Sequence, residues 1–90
     1  MIDTKADAFG MALDAWKTHA ITHAKAKEEY RVKHAKAFAE SQGKTESARK
    51  AEADMATTAE RLARDLAEVE MLAAYHTMIF LRGSAGEPQR

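Results

Sequence analysis

Hydrophobic and polar positions alternate along this chain with the period of a helix, and no stretch alternates with the period of a strand. In the C-terminal half the stripe Ala48, Ala51, Met55, Thr58, Leu62, Leu66, Val69, Ala73, His76, Phe80 advances by threes and fours throughout, which is one face of a helix. In the N-terminal half Phe9, Leu13, Trp16, Ala20, Ala24 and Phe38 mark a weaker stripe, interrupted where Lys27, Arg31 and His34 fall near the same face. Asp3 or Thr4 can cap the first helix, and Thr45 or Ser47 the second. Gly43 is expected to close the first helix in the left-handed conformation that glycine tolerates, and Arg82-Gly83 to close the second. These signals predict an all-α fold with one domain over residues 1–83. It has a helix over 3–41, a turn at 42–45 and a helix over 46–82, followed by a disordered tail at 84–90.

Two positions disturb this reading. Gly10 lies inside the first helix, where glycine costs about 1 kcal/mol relative to alanine, and marks either a fray point or a close helix contact. Thr57 and Glu60 have the spacing of a capping box, so a kink or break near Thr57 is open. The stripe keeps its phase through Thr58, which favours a continuous helix.

A short turn between two long helices forces a long antiparallel two-helix hairpin. Folding at Gly43–Lys44 is expected to set Lys17 near Glu70, Lys27 near Glu60, Lys33 near Asp54 and Lys36 near Glu52. It also sets Phe9, Leu13 and Trp16 near Met78, Ala74 and Met71, so large apolar side chains gather at one end. There Met71, Leu72, Tyr75, Met78, Ile79, Phe80 and Leu81 surround the second helix on nearly every side, and a helix apolar all round is buried all round. One partner helix covers only one side. Phe9, Leu13, Trp16, Met71, Tyr75, Met78, Ile79 and Leu81 are therefore expected to form an oligomer or partner interface. The economical form is a homodimer completing a four-helix bundle, and the other occupant is a different protein.

Composition sharpens the need for that second chain. Hydrophobic residues make up 46% of the 90, but about twenty of them are alanine, which contributes little burial. A domain this small seldom stabilises itself without staples, and the chain has no cysteine with which to make one. The absence of cysteine also excludes a thiol nucleophile or a cysteine zinc site and agrees with a reducing compartment. No secretory n-region or apolar run of membrane-spanning length is present, so a cytoplasmic protein without a membrane partner is expected. Lysine plus arginine (14) balance aspartate plus glutamate (14), which does not indicate a globally basic nucleic-acid binder.

Candidate chemistry is thin. His19 and His23 have metal-compatible spacing, but Ala15 and Lys27 are their neighbours on that face, so neither a metal nor any cofactor is expected. His76, on the apolar stripe, reads as a seam residue. Lys25, Tyr30, Arg31, Lys33 and Lys36 combine basic side chains with an aromatic, a pattern that can contact a phosphate backbone or stack a base. The competing reading is an intramolecular charge zipper against acids in 52–70. No phosphate-binding loop, nucleophile elbow or convergent polar site appears, so an enzyme with catalytic residues is not expected.

The stretch from Tyr30 to Arg82 resembles a group of small, alanine-rich helical proteins of tailed bacteriophages. The shared features are Tyr30 followed by Ala35, Ala37 and Ala39, then Gly43-Lys44-Thr45, Arg49-Lys50-Ala51-Glu52-Ala53, Glu60-Arg61 and a late Leu81-Arg82. Such proteins lie near recombination and replication genes. The resemblance implies a phage or prophage origin and assigns no activity, the role of these proteins being undefined. The function expected here is that of a non-catalytic accessory protein in the host cytoplasm, acting by contact with a host or phage protein, in DNA recombination or replication or as an inhibitor of a host system. The alternative function is a nucleic-acid-binding helical bundle that uses the basic face of the first helix.

Overall fold

The computed structural model of the chain describes residues 4–86, and these form an all-α hairpin of three helices. Helix α1 spans Thr4–Glu40, α2 spans Glu46–Ala56 and α3 spans Thr58–Gly86. The first arm is α1. The second is α2 and α3 end to end, with α1 packed along both. The molecule measures 67 × 24 × 13 Å. Thirteen ångströms is about the diameter of one helix with its side chains, so the hairpin is a single layer. Residues 1–3 and 87–90, including Asp3 as a cap and the end of the expected tail, lie outside the described residues.

The turn is built locally. Thr45 is extended (φ −121°, ψ 160°), and its hydroxyl accepts from the Ala48 N–H at 3.0 Å, which makes it the N-cap of α2. The Ser41 N–H donates to the Phe38 carbonyl, the Gly43 N–H to the Ser41 hydroxyl, and the Arg49 side chain to the Gly43 carbonyl. Gly43 does not take the left-handed conformation expected of it, since no glycine among the described residues has a positive φ. Its role is close approach: a Cβ there would stand 3.0 Å from both the Ala48 Cβ and the Arg49 N.

The second arm breaks at Thr57, against the preference for a continuous helix and at the place where a break was open. Thr57 has φ −116° and ψ 24° and is buried. It does not form the capping box with Glu60. Its hydroxyl instead donates back to the Ala53 carbonyl at 2.6 Å, and the Thr58 hydroxyl donates to the carbonyls of Asp54 and Met55. Two adjacent back-bonding threonines thus re-satisfy the polar groups around the break. At the far end the helix does not stop at Arg82 but runs through Gly83 to Gly86, so residues 84–86 of the expected tail are helical.

The largest correction concerns the seam. The residues of the second arm that turn toward α1 are Ala53, Thr57, Glu60, Arg64, Ala67, Met71, Ala74 and Met78, all buried or half-buried. The stripe read as the seam lies two residues on, and its members Met55, Thr58, Leu62, Leu66, Val69, Ala73, His76 and Phe80 are exposed. Two residues are 200° of helix, so the two stripes lie on nearly opposite faces. Complementarity explains the choice. From α1 the seam receives Trp16, His19, His23, Tyr30 and His34, all half-buried, and such bulky groups close-pack against alanine better than against leucine. Ala24, expected in the α1 stripe, is exposed.

Three outcomes are expected. A Cβ on Gly10 meets nothing within 4 Å, so Gly10 is not a close helix contact. Gly10→Ala should raise stability by about 0.5–1 kcal/mol in thermal or urea unfolding. Ala53 is fully buried, and Ala53→Leu should cost about 1–3 kcal/mol by overpacking the seam. The isosteric change Leu62→Met on the outward face should cost little in the same unfolding measurement.

Candidate functional site

Three surfaces could carry function: the apolar end of the hairpin, the basic middle of α1, and the outward face of the second arm.

The apolar end is partly covered within the chain. Met78 is 7% exposed, and Phe9, Leu13, Trp16, Met71, Ile79 and Leu81 are half-buried. Tyr75 is more open, but its ring lies against Trp16 with centroids 6.1 Å apart and planes tilted by 54°. Helix α1 thus covers one side of this expected interface, while Leu72, Tyr75 and Phe80 at the same end stay exposed. Met78 in particular cannot anchor a partner while the hairpin is closed.

Two cations in the basic middle of α1, Arg31 and Lys33, are matched to carboxylates. Lys33 Nζ lies 3.0 Å from Glu29 and 3.2 Å from Glu60. Arg31 Nε donates to Glu28 at 2.9 Å. One face of the Tyr30 ring is covered by the Arg64 guanidinium at 4.5 Å, where a base would otherwise stack. Among the described residues Lys25 and Lys36 join no ion pair. The expected zipper is present with its register moved. Lys33 pairs with Glu60 rather than Asp54, Asp54 accepts from His34 at 2.8 Å, Glu70 lies 3.9 Å from His19 rather than beside Lys17, and Glu52 accepts from Ser41.

These contacts leave a consistent electrostatic imprint. Hydrogen bonds from His34 and then Lys50 hold the Asp54 carboxyl below its ordinary range. Glu60 is lowered first by its own backbone N–H near the start of α3 and then by Lys33. A groove of about 660 Å³ runs beside this cluster, lined by Ala24, Lys27, Tyr30, Arg31, His34 and Arg64 among others. Of its lining side chains, Arg31 pairs with Glu28, Arg64 with Asp65, and His34 is hydrogen-bonded to Asp54, while Lys27 joins no ion pair among the described residues. No three metal-capable side chains come together among the described residues. His19 and His23 sit half-buried on the seam, whereas His76 is exposed, not in the seam as expected.

The outward face of the second arm is different in kind. Met55, Ala59, Leu62, Leu66, Val69, Ala73, His76 and Phe80 advance by alternating fours and threes, and none carries a formal charge. Met55 is 77% exposed, Phe80 71%, and Leu62, Leu66 and Val69 between 60% and 63%. The corresponding face of α1 is Met11, Asp14, Thr18, Ile21, Lys25, Glu28 and Val32, where charges separate the apolar side chains. No described helix is long and apolar enough to cross a membrane. No protein-family model, curated protein or solved structure matches the chain.

The Asp54 cluster predicts a direction for acid sensitivity. A carboxyl lowered in the folded state stabilises it above its unfolded pKa, and that contribution fades as pH falls through the folded value. Melting temperature should therefore drop on acidification below about pH 4, and Asp54→Asn should flatten part of that drop. Parallel pH profiles of variant and parent would show the cluster to be inert.

Proposed function

We propose that this chain is a non-catalytic protein–protein interaction module whose working surface is the outward face of α2 and α3. The observation that carries this reading is an uninterrupted, uncharged stripe of eight positions, with its five large side chains more than half exposed, on a molecule only 13 Å thick. Contiguous exposed apolar surface of this kind marks interaction sites. The engagement of Arg31, His34 and Arg64 by carboxylates in the groove supports the non-catalytic side of the reading, since a reaction site needs groups free to act on a substrate.

The accessory role expected from the sequence fits such a module. In that role it would act in the host cytoplasm on a phage or host protein, in recombination or replication or as an inhibitor. The nucleic-acid reading is the weaker one. Of the residues it needs, Arg31 and Lys33 are engaged by carboxylates and Tyr30 is capped by Arg64.

The test sets the two readings against each other. Fluorescence anisotropy with labelled single- and double-stranded DNA and RNA at low salt should show no binding. In parallel, a protein partner captured by the parent chain should be lost with Phe80→Glu and kept with Lys36→Glu. Binding to nucleic acid that weakens steeply with salt and falls with Lys36→Glu would overturn the module reading.

A further inference from the structure

Resting on that reading, we propose that the occupant of the outward face is a second copy of this chain, with α2–α3 packed antiparallel on α2–α3 of its partner.

Surface area is the first argument. The chain exposes 6934 Å². A folded monomer of 10.0 kDa is expected to expose about 5,200 Å². The excess is about 1,700 Å², whereas a standard interface removes about 800 Å² from each partner. The 6934 Å² covers the whole chain, and on the described hairpin the largest uncharged exposed stretch lies on the second arm, where Met55, Leu62, Leu66, Val69 and Phe80 are each 60% or more exposed.

The stripe is also complementary to itself. Read in opposite directions, Met55 meets Phe80, Ala59 meets His76, Leu62 meets Ala73 and Leu66 meets Val69. The pattern of fours and threes is the same from either end, so the steps stay in register along the whole contact. In the pairs Ala59–His76 and Leu62–Ala73 a large side chain meets a small one, the alternation that close packing of helices favours. A twofold axis between Leu66 and Val69 generates every pair twice.

Charge selects the direction. In the antiparallel arrangement the flanking acids meet apolar residues: Asp65 lies opposite Leu72, and Glu70 opposite Ala63. A parallel, in-register pair would place Asp65 of each copy against Glu70 of the other, two like-charge contacts with no compensating cation at those positions. The charges on the outward face of α1, Asp14, Lys25 and Glu28, stop a third copy from adding there. The assembly therefore closes as a flat layer of four arms, with the two α1 helices at its edges. This differs from a bundle joined through the apolar end.

The chain's lack of cysteine gives the test a clean background. Sedimentation equilibrium at micromolar concentration should give twice the 10.0 kDa chain mass. Leu66→Glu should halve that mass with unchanged helicity in circular dichroism, and adding Val69→Lys should restore the dimer by setting Glu against Lys across the axis. In a separate arm needing no disruptive variant, Met55→Cys and Phe80→Cys chains are mixed and oxidised. The mixed disulfide should dominate over either homodisulfide. Homodisulfides in place of the mixed product, or a dimer that survives Leu66→Glu, would overturn the proposal. A parent chain that stays monomeric would overturn the second copy alone, leaving the module reading to be judged by its partner test.

Discussion

A pair of helices can bury only one stripe from each arm, and everything else about this molecule follows from which stripe is buried. The arm α2–α3 carries two, offset by two residues and therefore back to back. One is small and partly polar, from Ala53 to Met78. The other is larger and uncharged, from Met55 to Phe80. The hairpin buries the small one because α1 brings Trp16, His23, Tyr30 and His34 to the seam, and these need alanine-sized partners. The outcome is a layer one helix thick whose only fully buried apolar residue is an alanine, Ala53, among the described residues.

That arrangement has an energetic consequence. Ala53, Ala67 and Met78 are the only buried apolar side chains among the described residues, which is too little for a chain with no cross-link. The ion pairs along the flanks are solvent-exposed and contribute register more than stability. Back-bonding at Thr57 and Thr58 lets the second arm bend without stranding polar groups. Among the described residues, the exposed stripe of the second arm is the large apolar surface that the hairpin leaves uncovered.

Much of the fold was legible in the residues. Helix-forming composition and the Thr45 cap mark two arms and a turn. The residue spacing leaves a break at Thr57 open, and the break goes against the continuous stripe, because the threonine hydroxyls bond back instead of capping. The seam was misread for a definite reason. Hydrophobic strength picks out Leu62, Leu66 and Val69, but a seam is chosen by fit between two faces, and the fit depends on α1. The regular step from Ala53 through Thr57, Glu60 and Arg64 to Ala67 was visible in the sequence. It was hidden by its polar members, whose aliphatic stems lie along the seam while their charged ends reach Lys33, Asp65 and the Tyr30 ring.

The central claim is that Ala67 belongs to the inner seam and Leu66, one residue away, to the outer one. Thiol-labelling rates of single-cysteine variants at these two positions test it most directly. In dilute solution Leu66→Cys should react quickly and Ala67→Cys slowly, and on raising the concentration only the Leu66→Cys variant should become protected. A slow Leu66→Cys and a fast Ala67→Cys at every concentration would mean that the stripes are exchanged, and would contradict the account.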